Sequence, residues 1–205
     1  MAGAVDMSGA LVWLLVAAGL GLVIVRRRSL AVAFVTGQGL LLAVTAVRHD
    51  AIAGATLAVR ALALGVLLLL VVSRTREPRP VRAGLAPLAR GGLAIAFALT
   101  LTWLVPAIGL DSRNAERGVL ALVAFGIATV ATRRATLFHV LGIVLVENGL
   151  ALAALELPGG GSSVAIELGV AVDLTLIALV ASVFHERIFA EFGAGDSAAL
   201  RSLRD

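Results

Sequence analysis

Long apolar runs alternate with short polar stretches along most of the chain. A helix that crosses a bilayer needs about 20 mainly apolar residues, because each residue advances the helix by about 1.5 Å. About seven stretches meet this requirement, at roughly 8–25, 29–47, 51–73, 91–110, 116–132, 135–157 and 163–184. The pattern therefore predicts an all-α, polytopic membrane protein with about seven transmembrane helices.

Arginines between the predicted spans indicate how the chain is oriented. Connections on the cytoplasmic side of a membrane are enriched in basic residues. Most of the 17 basic residues follow the odd-numbered spans, namely Arg26, Arg27, Arg28, Arg74, Arg76, Arg79, Arg82, Arg90, Arg133, Arg134, Arg187, Arg201 and Arg204, whereas Arg48, Arg113 and Arg117 lie in the alternate connections. We therefore expect the N-terminus outside and the C-terminus in the cytoplasm, with these arginines as solvated anchors at the lipid headgroups.

One long polar connection, residues 74–90, divides the chain. Pro78, Pro80 and Pro87 are expected to stop a helix from continuing through it, and its five arginines to hold it at the membrane surface. The predicted divisions are a three-helix part, a cytoplasmic loop, a four-helix part and a cytoplasmic tail, at residues 1–73, 74–90, 91–187 and 188–205.

The composition supports a membrane protein and excludes several kinds of site. Hydrophobic residues make up 60% of the chain and charged residues 15%, whereas soluble domains average about 45–50% and about 25%. The net charge of +4 comes from arginines between spans, so it does not indicate nucleic-acid binding. With no cysteine, the chain has no disulfide, thiolate metal site or Cys-ligated iron–sulfur cluster. Residues 1–10 contain no basic residue, so we expect the first span to be retained rather than cleaved as a signal peptide.

Two acidic residues lie deep inside predicted spans. Glu147 lies roughly 18 Å and Asp173 about 16 Å from the cytoplasmic ends of their spans at helical rise, and a short Gly-rich turn joins these two spans. An ionised carboxylate in hydrocarbon costs several kcal/mol, so it usually faces a protein interior or a water-filled path. Two buried acids close together have coupled proton affinities. We predict that Glu147 and Asp173 belong to a proton path, with a structural hydrogen bond as the alternative.

Arg60 is the candidate counter-charge for these acids. It lies near the middle of the third span, where an unpaired cation is unfavourable. The sequence leaves open whether its partner is Glu147, Asp173 or an acid on another chain. Asn148 directly follows Glu147 and joins the candidate site.

Other polar residues have weaker claims to a role in the path. Gln38 is expected to bridge helices by hydrogen bonding. His139 lies one turn into the sixth span and is a candidate for feeding protons to Glu147, although about 80° separates the two around the helix. Glu167 is either a second, outer position in the path or an interfacial acid. Residues at span ends are expected to be solvated, namely His49, Asp50, Glu156, His185 and Glu186.

The chain has no recognisable arrangement of catalytic residues. It contains no HExxH motif and no histidine pair at a spacing that would hold haem or zinc between helices. We therefore expect no enzymatic activity from the chain alone and no cofactor. The open alternatives are a proton-handling subunit, a self-contained transporter or channel, and a structural assembly subunit.

Two segments near the C-terminus resemble a known family. RRATLFHVLGIVLVENGLALAAL (133–155) resembles the second span of the K-type subunit of complex I and of the C-type subunit of multisubunit cation/proton antiporters, which carries a buried Glu and an Asn just beyond it. IELGVAVDLTLIALVASVFHER (166–187) resembles the third span with its second buried acid. The family's three helices would correspond to residues 116–187. Two departures are that Glu147 lies one turn after the family Glu, which aligns with Val144, and that Asp173 replaces a Glu.

The whole chain resembles the membrane component E family of hydrogenase-4 and formate hydrogenlyase-type complexes. Those proteins place extra spans, including a buried basic residue, before a K-type part, and end in a tail similar to SLRD here. The resemblance implies a membrane subunit of a proton-translocating group 4 [NiFe] hydrogenase-like complex in the bacterial plasma membrane. It also implies antiporter-like membrane subunits and a hydrogenase-type peripheral arm as partners, with the metal centres held by that arm.

Overall fold

The computed structural model describes residues 7–75, 85–157, 179, 181–187 and 189–190. This part of the chain is all-α. Its helices are α1 (Met7–Ile24), α2 (Arg28–Val47), α3 (Ala51–Arg74), α4 (Pro87–Leu104), α5 (Arg113–Thr132) and α6 (Thr136–Leu155), and residues 181–187 and 189–190 are also helical.

Five of these helices, α2 to α6, are long and apolar enough to cross a membrane, whereas the apolar segment of α1, Gly9–Ile24, is shorter. The chain is therefore a multi-pass helical membrane protein, as the apolar pattern predicts. The count of seven spans, the orientation and the division into two parts stay predictions. Most of the seventh predicted stretch, 163–184, lies outside the described residues.

The fourth helix differs from the predicted range of 91–110, because prolines set both of its ends. Pro87 occupies the first turn of α4, where its fixed φ suits a helix and its missing N–H would have no helical partner. Pro87 thus begins a helix, and Ala86 before it is not helical, so at its described end the connection is not a continuation of an earlier helix. At the other end, Pro106 restricts Val105 to an extended conformation (φ −84°, ψ 123°), so the helix stops at Leu104.

Short connections make α1 and α2, α2 and α3, and α5 and α6 antiparallel neighbours. Two of these pairs pack closely at glycines. A Cβ atom on Gly39 of α2 would lie 2.7 Å from the Cβ of Ala61 on α3, and one on Gly126 of α5 would lie 2.6 Å from the carbonyl oxygen of Gly142 on α6. Because glycine has no side chain, the helix backbones can approach each other closely at these positions.

Helix α1 packs against α2, α4 and α5, and α6 packs against α2 and α5, so the two predicted parts of the chain share one core. Fully buried leucines of α1, Leu15 and Leu22, lie in this core. By contrast, Leu88 and Trp103 of α4 are largely exposed, at 83% and 85%. Exposed apolar side chains on membrane helices suit contact with lipid or with a partner helix.

The last turn of α1 and the beginnings of α4 and α6 meet at one end of the bundle, which we call the arginine-rich end (Arg26–Arg28, Arg90, Arg133 and Arg134). Arg90 is fully buried there and Arg133 is 3% exposed, so the expectation of solvated anchors was wrong for these two residues. Both guanidiniums contact backbone carbonyls at the end of α1, which otherwise lack helical partners.

Two more residues that we expected in solvent, Glu156 and His185, are also buried. Glu156 caps α6. Its carbonyl oxygen accepts a 3.0 Å hydrogen bond from the backbone N–H of Asp111, which ties the loop before α5 to the end of α6. His185 is 2% exposed and shares a buried helix face with Ser182, one turn away. His49 and Asp50 are exposed as expected, and the Asp50 carboxylate caps α3 through the N–H of Ile52 at 3.0 Å.

Candidate functional site: a buried polar layer

A buried ion pair joins Arg60 of α3 to Glu147 of α6. Nη2 of Arg60 donates a hydrogen bond to Oε2 of Glu147, and the two side chains are only 5% and 16% exposed. The same Nη2 atom also lies 3.4 Å from Oδ1 of Asn148. Of the partners left open by the sequence, Glu147 is the one that contacts Arg60 in the described part of the chain.

Helical geometry explains why these side chains meet. Arg60 lies about 14 Å from the start of α3, and Glu147 about 17 Å from the start of α6, at 1.5 Å per residue. Both positions are therefore near the middle of their helices. Glu147 and Asn148 are adjacent on α6, so their side chains differ by about 100° in direction, and the long Arg60 side chain contacts both.

Hydrogen bonds continue from Asn148 to two further helices. Nδ2 of Asn148 donates to Oε1 of Gln38 on α2 at 3.0 Å, and Nε2 of Gln38 donates to the carbonyl oxygen of Leu15 on α1 at 3.1 Å. Gln38 and Asn148 are 1% and 3% exposed. Gln38 thus bridges helices, as predicted. We call this set the polar layer: the Leu15 carbonyl, Gln38, Arg60, Glu147 and Asn148.

One oxygen of the polar layer has no hydrogen-bond partner among the described residues, namely Oε1 of Glu147, which is buried. A buried polar atom without a partner is unfavourable and rare, so such an atom is a natural position for a proton or a water. A cavity of about 10 Å³ lies between α2, α3 and α6 and is lined by Thr36, Arg60 and Asn148 together with apolar side chains. It has room for about one water molecule.

The other candidate residues lie elsewhere or outside the described residues. Nε2 of His139 is 2.7 Å from the carbonyl oxygen of Arg133, so the half-buried ring is bonded to the connection before α6. Its role in feeding protons to Glu147 stays a prediction. Asp173 and Glu167 belong to residues 158–178, which the structure does not describe, so their depth and partners stay predictions as well.

Sequence reasoning found the charged members of the layer but missed the backbone acceptor. The Leu15 carbonyl carries no sequence signal, because every residue has a carbonyl. The pairing of Gln38 with Asn148 had a usable signal, since both are amides near the middle of apolar spans. Within residues 7–75, 85–157 and the short helical segment near 185, no three His, Cys, Asp or Glu side chains are grouped as metal ligands.

These helices and the polar layer define a multi-pass membrane protein with an ion pair inside its helix bundle. The chain is 32% identical to the uncharacterized protein Rv0085 of Mycobacterium tuberculosis (strain ATCC 25618 / H37Rv) over 160 residues, which cover 74% of this chain and 70% of that protein. The chain belongs to the same family as Rv0085. No protein-family model matches the chain, and no solved structure matches it.

Proposed function

We propose that the chain is a membrane subunit of a proton-translocating, complex I-like oxidoreductase of the group 4 [NiFe] hydrogenase or formate hydrogenlyase type. It would lie in a bacterial plasma membrane with antiporter-like subunits and a hydrogenase-type peripheral arm. The resemblance of residues 133–187 suggests the class of complex. The observation that carries the proposal is the buried Arg60–Glu147 pair. In this pair, Oε1 of Glu147 has no partner in the described part of the chain.

The geometry of the pair suits reversible protonation. Oε2 of Glu147 is bonded to Arg60, while Oε1 is available to accept a proton. Charges interact strongly in a medium of low dielectric constant, so a charge that arrives nearby changes the balance between the ionised and the protonated carboxyl. Arg60 already contacts Asn148, and this amide oxygen can keep a partner for the guanidinium while Glu147 is neutral.

Asp173, His139 and Glu167 complete the proposed path. Asp173 would exchange protons with Glu147, because the antiparallel arrangement predicted for the last two spans brings the acids to similar depths. His139 would supply protons from the cytoplasmic end, and Glu167 would act nearer the outer end. The chain itself would carry out no redox chemistry, and the electrons would travel through centres held by its partners.

A structural assembly subunit is the second candidate, and the Gln38 bridge favours it. That bridge ties α1, α2 and α6 together by hydrogen bonds that need no proton transfer. In this case the Arg60–Glu147 pair would only stabilise the bundle, and conservative neutral substitutions that keep the shape of Glu147 would leave ion movement unchanged.

The test is to replace Glu147 with Gln and, separately, Asp173 with Asn in cells that make the whole complex. Proton uptake linked to redox turnover is measured in membrane vesicles, and assembly is checked by native gel electrophoresis. We expect uptake to fall by roughly a hundredfold for each variant, since positioned proton-transfer groups typically contribute 10²–10⁴-fold. Asp50→Asn, at an exposed helix cap, is the matched control and should behave as the wild type. Normal uptake in both variants, with assembly intact, would exclude the proton path and favour the structural role.

A further inference from the structure

Two buried guanidiniums converge on the last turn of α1 at the arginine-rich end. Nη2 of Arg133 donates to the carbonyl oxygens of Val23, at 3.1 Å, and of Val25. Nη2 of Arg90 lies 3.4 Å from the carbonyl oxygen of Ile24. These neutral acceptors engage one nitrogen of each guanidinium, and neither contact supplies a counter-charge.

Within the part of the chain that the structure describes, the remaining donors of both side chains are unsatisfied. Nε and Nη1 of Arg90, and Nε and Nη1 of Arg133, are buried and have no hydrogen-bond partner among the described residues. Burying a charged donor without a partner is strongly unfavourable, and buried polar groups in folded proteins are nearly always hydrogen-bonded. The arrangement therefore has the donors of an anion site.

The positive charges at this end also act on one another. Burial, and then the charges of Arg90 and Arg26, lower the pKa of Arg133 to about 9, so Arg133 remains charged at neutral pH. The charge of Arg26 also repels that of Arg90. The Arg26 side chain itself is exposed. Glu186, an acid of this end, lies 3.6 Å from Arg74 instead. A bound anion would relieve the repulsion among the three cations.

Arg133 is held in place by an aromatic ring. Its Cζ atom lies 4.0 Å from the centroid of the fully buried Phe138 ring. A cation–π contact of this kind uses the face of the guanidinium and leaves the N–H groups at its edges available. Arg133 is thus positioned, while its Nε and Nη1 donors, which have no partner among the described residues, remain able to bind a ligand.

We propose that Arg90 and Arg133 bind an oxyanion of the phosphate type, with the exposed Arg26 at the entrance. Phosphate oxygens accept several charge-assisted hydrogen bonds from guanidiniums at once. The site lies where α1 ends and α4 and α6 begin. If these helices span the bilayer, their ends would lie at the depth of the lipid headgroups. The same chemistry is offered by the phosphate of an anionic lipid and by free phosphate, and the experiment distinguishes the two.

The test uses the purified full chain in micelles of a phosphate-free maltoside detergent. Melting temperature is measured after adding phosphatidylglycerol, diacylglycerol with the same acyl chains, or inorganic phosphate. We expect a rise of about 5–10 °C with phosphatidylglycerol at saturation, from the stabilisation that a ligand gives at about 100 times its Kd. Diacylglycerol should give no rise. A matching rise with inorganic phosphate would identify free phosphate as a sufficient ligand, whereas a rise with the lipid alone would identify the headgroup.

Variants then locate the site. Arg90→Gln and Arg133→Gln should lose the rise, and Arg26→Gln, which alters an exposed side chain, should need a several-fold higher lipid concentration for half of the effect. Arg48→Gln, an exposed arginine beyond the other end of α2, is the charge-matched control and should respond as the wild type. The proposal is overturned if neither anion stabilises the wild type, if diacylglycerol stabilises it equally, or if the folded Arg26→Gln and Arg48→Gln variants respond alike.

Discussion

Arg60 and Glu147 are 87 residues apart in the chain, yet they form a buried salt bridge between α3 and α6. Both helices pack against α2, and the small cavity beside Arg60 lies among the three. The salt bridge is thus a polar link between α3 and α6 beside that cavity, which Arg60 lines and Glu147 does not. Its stability and its chemistry depend on both charges being present.

Removing one member of the pair should cost more than removing both. Arg60→Met or Glu147→Met alone leaves an uncompensated buried charge and should lower the free energy of unfolding by about 3–5 kcal/mol. The double variant should recover most of this loss, because it removes both desolvated charges. Denaturant unfolding of all four proteins in one detergent gives the coupling energy. A double variant that is less stable than each single variant would contradict a paired arrangement.

Replacing Gln38 with Leu should destabilise the bundle by about 1–3 kcal/mol, because it leaves the Asn148 amide without its partner and the Leu15 carbonyl with only its bond inside α1. Thr100→Val is the matched control, since among the described residues the exposed Thr100 hydroxyl bonds within its own helix, to the carbonyl of Ala96 at 2.9 Å. It should change stability by less than about 0.5 kcal/mol. Thermal unfolding followed by circular dichroism makes the comparison. Equal effects of the two substitutions would mean that the bridge contributes nothing to stability.

Gly126→Val should separate α5 from α6. The added Cβ would lie 2.6 Å from the carbonyl oxygen of Gly142 and 2.5 Å from a methyl group of Val146, so the helices must move apart. We expect a loss of about 1–3 kcal/mol, the usual cost of overpacking. At Gly37 of α2 an added Cβ meets nothing within 4 Å, and Gly37→Ala should therefore cause no loss. Melting temperatures of the two variants against the wild type decide the point.

The absence of cysteine makes the predicted orientation easy to test. Single cysteines at Arg27 and His49, both exposed and in successive connections, report opposite sides of the membrane if α2 spans it. In intact cells an impermeant maleimide should label His49→Cys, and Arg27→Cys should react only after permeabilisation. The reverse pattern would overturn the orientation inferred from the arginines, and labelling of both sites in intact cells would show that α2 does not span.

The sequence was sufficient for the class of fold and for most helix positions, because apolar runs of membrane length report directly on membrane helices. The bounds of α4 were wrong at both ends. Pro87 and Pro106 were visible, but a proline either begins a helix or ends one, and only the surrounding backbone shows which.

The buried charges were harder to predict. Arg60, Glu147 and Asn148 stand out in apolar spans, so they were found, but their pairing depends on packing between helices that are distant in the chain. We expected Arg90 and Arg133 to be surface anchors because they lie at the ends of predicted spans. Their burial follows from the carbonyls at the end of α1, whose position no local pattern encodes.

The Leu15 carbonyl is an acceptor with no proton to give, and this fixes the polarity of the amides that follow it. Gln38 must turn its NH₂ group to Leu15 and its oxygen to Asn148, so Asn148 must turn its own oxygen to Arg60. A flip of either amide would set like atoms against each other. One main-chain group on the first helix thereby dictates which atom of Asn148 faces the guanidinium.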